Sequence, residues 1–258
     1  MKANIPRGQH RQFQHAERPT VAMEANWPAG ESTGWHAHPR GQLLYAIDGV
    51  MVVQSTAGSW VIPPSRALWL VGGVQHNVTM SGNVKMRTAY IDAARVPDLP
   101  SDSLVVSVSS LLRELLVAAV QVPTDYEIGG REENIMQLLV HELRRAATLP
   151  LHLPMPRDKR LRPICDTLSL VPSDASTAQD WAARLGVTAK TVHRLFLKET
   201  GMTFSQWRDQ VRLLHALRRI AEGWKVIDIA FECGYASQSA FTAMFKRHLG
   251  SPPSSVYA

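Results

Sequence analysis

Closely spaced histidines in the N-terminal half are the residues best suited to chemistry. Residues 30–49 read GESTGWHAHPRGQLLYAIDG, in which His36 and His38 lie two positions apart and Gln42 follows four positions later. Side chains at i and i+2 of a strand point to the same face, so both imidazoles can reach one metal ion. Gln42 would add an oxygen ligand, and His76 would add a third imidazole.

The sequence leaves open what these residues bind. Three neutral histidines and a glutamine suit a divalent transition metal such as Ni, Zn, Fe, Mn or Cu. The same side chains could instead contact an organic effector directly, or form a structural remnant around water. We expect a metal centre of unspecified identity at His36, His38, Gln42 and His76. Neither a P-loop nor a G-x-G-x-x-G motif occurs, and we expect no catalytic residues.

Positive charge is concentrated at the C-terminal end. Residues 1–156 hold 13 Lys+Arg and 13 Asp+Glu, whereas residues 157–258 hold 15 Lys+Arg and 9 Asp+Glu. All of the net charge of +6 therefore lies in the final segment. A localised basic domain is typical of a protein that binds a polyanion, although a solvated basic surface would give the same balance.

The bulk composition is that of a globular chain, with 45% hydrophobic and 19% charged residues in a length of 258. No apolar run approaches the ~18 residues needed to span a bilayer. The first residues lack the apolar region of a signal peptide. The two cysteines, Cys165 and Cys233, match no disulfide or metal framework. We expect a cytoplasmic protein.

Residues 22–92 consist of short β-rich runs separated by turn residues, a pattern that favours a sandwich or small barrel. The Asp48-Gly49 pair between two apolar runs predicts a hairpin turn, and Gly82-Asn83 punctuates another pair of runs. The expected strands are 42–47, 50–55, 59–62, 68–71, 76–80 and 84–91.

The apolar period then becomes helical, with helices predicted over residues 109–120 and 131–147. These helices could cover the barrel or form a dimer seam. Three prolines within residues 149–157 predict a stiff linker. We therefore predict a sensor domain over 1–103, a dimerisation or transmission segment over 104–148, a linker over 149–156 and a DNA-binding domain over 157–258.

Residues 177–196 have the spacing of a helix-turn-helix unit. Ala182 allows two helices to approach, Gly186 accepts the left-handed backbone of the turn, and Val192 seats the second helix. The pattern recurs 48 positions later, where Ala230, Gly234 and Ala240 follow the same spacing. Two such units in the basic region predict a binder of duplex DNA.

The segments FLKETGMTFSQWRDQVRLLHALRRI and VIDIAFECGYASQSAFTAMFKRHLGSPPSSVY resemble the DNA-binding domain of the AraC/XylS family of transcription regulators. The resemblance covers about residues 161–257. It implies seven helices with two helix-turn-helix units, each placing a recognition helix in the major groove. The ending Val256-Tyr257-Ala258 lacks the basic residue often found after that tyrosine.

The resemblance also implies which side chains face the DNA. In the first unit they are Lys190, His193 and Arg194, and arginine or lysine commonly contacts guanine. In the second unit they are Gln238, Ser239 and Thr242. Ala243 stands where a relative can carry a long basic side chain, so we expect the second helix to read sequence weakly.

The pattern G-x5-H-x-H-x3-Q-x6-G resembles the first cupin motif, in which Gln42 replaces the usual glutamate. The second cupin motif is poorer, since Val71 and Met80 replace its usual proline and asparagine. The predicted fold is therefore α+β multidomain: an N-terminal cupin-like β-barrel, a helical linker region and a C-terminal all-α domain with two helix-turn-helix units.

We predict a sequence-specific, DNA-binding transcription regulator controlled by a small ligand, with or without a metal, in the cupin barrel. Its expected partners are double-stranded operator DNA, a small-molecule or metal effector and a second copy of the chain in a homodimer. One alternative is a metal-dependent cupin enzyme with an accessory DNA-binding domain. Another is an architectural DNA-binding protein that needs no ligand.

Overall fold

A computed structural model describes residues 10–149 and 151–255. The chain divides into two compact units, Met1–Ser55 with Trp60–Pro150, and Thr56–Ser59 with Leu151–Ala258. The predicted linker residue Pro150 and the ending Val256-Tyr257-Ala258 lie outside the described residues. No helix among the described residues is long and apolar enough to cross a membrane.

The first unit is built on an antiparallel sheet, as expected for the β-rich half. Hydrogen bonding follows the path β1-β5-β2-β4-β6-β7, and β3 also pairs with β2. The strands are β1 Thr20–Trp27, β2 Gly41–Ser55, β3 Gly58–Ile62, β4 Arg66–Leu70, β5 His76–Ile91, β6 Leu104–Ser107 and β7 Thr148–Leu149. A short helix, α1 His10–Gln14, precedes them.

The hairpin predicted at Asp48-Gly49 is wrong. Residues 41–55 form one continuous strand, β2, and residues 76–91 form its long partner, β5. The pairing register shifts on both sides of Asp48, and Gly49 has a φ of +78°. A β-bulge needs the same left-handed glycine as a tight turn, so the local sequence signal could not distinguish them.

Strand β5 folds back on itself around this irregularity. The rings of His76 and Tyr90, 14 positions apart on β5, have centroids 5.1 and 5.3 Å from the ring of His38. A straight strand of that length would span about 46 Å. The sheet therefore curls, and the two ends of β5 both approach His38.

Two helices cover one face of the curled sheet, α2 Ser110–Ala119 and α3 Arg131–Arg145. Their buried leucines share a core with Leu43, Tyr45 and Trp69 of the strands. Covering the sheet is thus the main role of the two predicted amphipathic stripes. Two leucines of these helices remain exposed, Leu111 at 48% and Leu138 at 42%.

Strands also occupy positions for which the sequence predicted other structure. Residues 104–107, assigned to the helical segment, form β6, in which Val105 and Val106 are buried. Residues 149–156, assigned to the linker, include the end of β7 and a short strand, β8 His152–Pro154. These strands are too short for a pattern in the sequence to reveal them.

The second unit contains six helices among the described residues. They are α4 Arg162–Leu170, α5 Ala178–Leu185, α6 Ala189–Thr200, α7 Phe204–Ala221, α8 Val226–Glu232 and α9 Gln238–Leu249. A 3-10 turn, Pro253–Ser255, follows them. The core of this unit contains large aromatic residues that are almost completely buried: Trp181, Phe196, Trp207, Phe241 and Phe245.

The Gly49→Ala variant tests the bulge that bends the β2/β5 pair. An added Cβ would lie 2.2 Å from the backbone oxygen of Asn83, in a left-handed conformation. We expect the free energy of unfolding to fall by about 2–4 kcal/mol. Urea denaturation followed by tryptophan fluorescence would measure it.

Gly129→Ala is the matched control, because Gly129 has a φ of +81° and no atom within 4 Å of an added Cβ. We expect this variant to lose about 1 kcal/mol, the cost of the left-handed backbone alone. Equal losses in the two variants would show that the close approach to Asn83 does not constrain the bulge.

Candidate metal centre and nucleic-acid interface

Three histidines of the first unit converge on one point. One ring nitrogen from each of His36, His38 and His76 lies within 4.8 Å of those of the other two. His36 and His76 form an antiparallel bridge, with backbone N–H to oxygen distances of 2.9 Å in both directions. The structure therefore brings together the three imidazoles that the sequence singled out.

Each of these rings is oriented by a backbone carbonyl. The Nδ1–H groups of His36, His38 and His76 donate to the oxygens of Gly34, Arg40 and Val74, at 2.9, 2.7 and 2.8 Å. In a neutral imidazole, the nitrogen that does not carry the proton carries the lone pair. The three carbonyls thus select the tautomer with the lone pair on Nε2. Such second contacts are typical of metal-binding histidines.

Gln42 is held in one orientation beside His38. The hydroxyl of Thr88 donates to the backbone oxygen of Leu43 at 3.1 Å, so it accepts from Nε2 of Gln42 at 3.0 Å. The same amide nitrogen lies 3.2 Å from the hydroxyl of Tyr90. Oε1 of Gln42 therefore faces Nε2 of His38, at 2.9 Å.

These two atoms test whether the residues fit a metal ion. With Nδ1–H donated to a carbonyl, the neutral ring of His38 turns a lone pair towards the lone pairs of Gln42 Oε1. Such a pair needs a cation, either a proton on Nε2 or a metal ion. Burial is the main influence that lowers the pKa of His38, which disfavours the doubly protonated ring. The residues fit a metal ion.

The centre is buried on one side and accessible on the other. His76 and His38 are 1% and 5% exposed, His36 is half-buried, and the adjacent Trp35 is 58% exposed. A ligand from solvent would approach from the side of His36. The large aromatic residues of the strands belong to the buried core: Tyr45, Trp60 and Trp69.

In the second unit, α5 and α6 form the first helix-turn-helix. Thr177 caps α5 through a capping box with Asp180. Gly186 ends α5 with a φ of +64°, and Thr188 caps α6 by accepting from the N–H of Thr191. Ala182 and Val192 are buried, as the sequence predicted.

The second helix-turn-helix, formed by α8 and α9, departs from the predicted repeat. Gly234 has a φ of +77° and lies 48 positions after Gly186, but the cap Ser237 lies 49 positions after Thr188. The turn after Gly234 is one residue longer. The residue that seats α9 is therefore the buried Phe241, and the prediction of Ala240 is wrong because Ala240 is exposed.

Comparison with known proteins follows this division of the chain. A model of the AraC-like ligand binding domain matches residues 19–150, and a model of a helix-turn-helix domain matches residues 181–257. The HTH-type transcriptional regulator NimR of Escherichia coli (strain K12) is 30% identical over 218 residues, which are 84% of this chain and 80% of NimR. The chain belongs to the AraC family of transcriptional regulators. It combines a ligand-binding domain with a DNA-binding helix-turn-helix domain.

Two further similar proteins cover different shares of the chain. The HTH-type transcriptional regulator RipA of Corynebacterium glutamicum is 35% identical over 101 residues, which are 39% of this chain and 30% of RipA. A crystal structure of ToxT from Vibrio cholerae has a TM-score of 0.38 and 12% identity, and covers 92% of this chain and 97% of ToxT.

The side chains expected to face DNA in an AraC-family protein lie at the surface of α6 and α9. Lys190, His193 and Arg194 are exposed on α6. On α9, Gln238, Ser239 and Thr242 line one shallow depression together with Ala243 and Lys246. Lys246 was not predicted among the DNA-facing residues, although its spacing of four from Thr242 puts both on one helical face.

The 49-residue offset changes which recognition residues correspond. Arg194 of α6 matches Ala243 of α9, and Leu197 matches Lys246. The long basic side chain therefore occupies a different position in each unit: near the middle of α6 and one turn later in α9. The two recognition helices present different chemistry to DNA.

One further motif in the N-terminal half has no catalytic context. Residues 30–34 read GESTG, the spacing of a nucleophile elbow. Ser32 is exposed and forms an isolated bridge with Thr79, and no helix follows it. The strand-turn-helix geometry that activates such a serine is not formed at this position.

Proposed function

We propose that this AraC-family regulator is controlled by an effector bound at a divalent transition-metal centre formed by His36, His38, Gln42 and His76. The observation that carries the proposal is the common orientation of the three rings, each fixed by a carbonyl on Nδ1. Three imidazoles and a neutral oxygen suit Zn, Ni, Fe or Cu better than Mg or Ca. The bound ion would supply a Lewis-acidic attachment point for the effector.

Specific DNA binding is proposed to use Lys190, His193 and Arg194 of α6 with Gln238, Ser239 and Thr242 of α9, to which we add Lys246. Exposure on one face of each recognition helix supports the set. A ligand can alter this binding only if it has different affinities for two arrangements of the protein. The proposal is sensing rather than turnover, in keeping with the regulators that the chain resembles.

The metal centre can be tested by elemental analysis of the untagged, full-length protein. We expect close to one transition-metal ion per chain, and loss of that ion in the His36→Ala/His38→Ala variant, because two of the three imidazoles are removed. His141→Ala, which changes an exposed histidine outside the cluster, is the control and should keep the metal.

If the wild-type protein holds no metal even after metal ions are offered, the metal proposal is wrong. The histidines would then be direct contacts of an organic effector or a structural remnant.

The Arg194→Ala variant tests base recognition by α6. If Arg194 contacts a guanine edge, its loss should lower the preference for the selected operator over random duplex by about 5- to 150-fold. A competition mobility-shift assay on a duplex selected in vitro by this protein would measure the ratio.

Lys159→Ala is the control, since Lys159 is exposed in the same basic unit but lies before α4. It should weaken binding to both duplexes to a similar, small extent. An unchanged operator preference in Arg194→Ala would remove Arg194 from the set of base-reading residues.

We also propose that two copies associate through α2 and α3, which would place two DNA-binding domains on one operator and raise its apparent affinity. The exposed Leu111 and Leu138 support this surface. Sedimentation equilibrium should show a dimer for the wild type and a monomer for Leu111→Ser/Leu138→Ser. Leu170→Ser, which removes an 82% exposed leucine from the other unit, should remain dimeric. A monomeric wild type would refute the proposal.

A further inference from the structure

We infer that the effector of the histidine centre is an oxyanion of the carboxylate class that binds the metal directly from the side of His36. The inference rests on the proposed metal function and adds the chemical class of the ligand. It follows from the charges of the groups around the centre.

The ligand set contains no negative charge. Three imidazoles are neutral when they bind a metal, and Gln42 is a neutral amide. Gln42 also cannot exchange its oxygen for its nitrogen, because the nitrogen is held by Thr88 and Tyr90. A divalent ion at this centre would therefore keep its full charge of +2 in a largely buried place.

A buried basic residue lies close to this ligand set in the sequence. Arg40 is buried two positions from both His38 and Gln42. In the described part of the chain, the hydrogen bonds of its guanidinium all go to backbone oxygens, those of Gln14, Ala16, Arg18 and Pro19. Asp92 attracts this guanidinium electrostatically and offsets part of its charge.

An uncompensated charge away from water is costly, so a buried dication with neutral ligands strongly favours an anion as its next ligand. A neutral molecule of the same shape would lack this attraction. The positive charge of the centre would thus favour an anionic effector over a neutral effector of the same shape.

Access to the centre limits where the anion can bind. His38 and His76 are enclosed by the sheet, whereas His36 is half-buried. The anion would therefore reach the metal from the side of His36.

The experiment uses the full chain loaded with Co(II), whose visible absorption reports changes in its ligands. Acetate and acetamide have nearly the same shape and differ in charge, so they form a matched pair of probes. We expect acetate to change the spectrum saturably and acetamide to bind at least about tenfold more weakly. The His36→Ala/His38→Ala variant should show no response to either.

A second variant introduces a negative charge among the proposed metal ligands. Gln42→Glu should still bind Co(II), while its affinity for acetate should fall by about tenfold or more, since the centre is then less positive. Metal content and the acetate titration are measured on the same sample, so loss of metal is not mistaken for loss of the anion.

The outcomes separate this inference from the proposal beneath it. If Co(II) binds but the affinity for acetate does not exceed the affinity for acetamide, the inference of an anionic effector is wrong. The proposal of a metal centre would then still hold. An unchanged acetate affinity in Gln42→Glu with Co(II) bound would likewise overturn the charge-based selection. If Co(II) does not bind to the wild type at all, the metal proposal and the inference both fall.

Discussion

The bend in the β2/β5 pair is the constraint on which the N-terminal domain depends. His76 begins β5 and Tyr90 lies near its end, yet both rings approach His38. Antiparallel pairing places Gln42 opposite Tyr90, and one pleat along the same face Thr88 contacts the Gln42 amide. Without the fold-back, Gln42 with its two partners would lie far from His76. The glycine at the bulge therefore contributes to the centre without touching it.

Side-chain polarity and backbone geometry together orient the three histidines of the centre. The carbonyls of Gly34, Arg40 and Val74 each lie two residues from the histidine that they orient. Each imidazole is thus fixed by its own local chain, and only the meeting of three such segments is a tertiary effect. The result is a preorganised cluster of lone pairs, for which a cation is the natural complement.

The sequence predicted those parts of the molecule that depend on local signals. The two-residue spacing of His36 and His38 and the helix-turn-helix spacing around Gly186 could both be recognised in the sequence. The error at Asp48-Gly49 arose because a left-handed glycine specifies a backbone conformation and not the element that contains it. Gly49 was interpreted as a hairpin where it forms a bulge. The orientation of the Gln42 amide was also out of reach, because it depends on Thr88 and Tyr90 from a distant part of the chain.

The longer turn of the second helix-turn-helix bears on how this protein could be re-engineered. The two units look like copies offset by 48, but their recognition helices are offset by 49, from the caps Thr188 and Ser237 onward. A graft that moved side chains from α6 to α9 by the first offset would place the buried pattern of one helix on the solvent face of the other. Such grafts need to be joined at the caps.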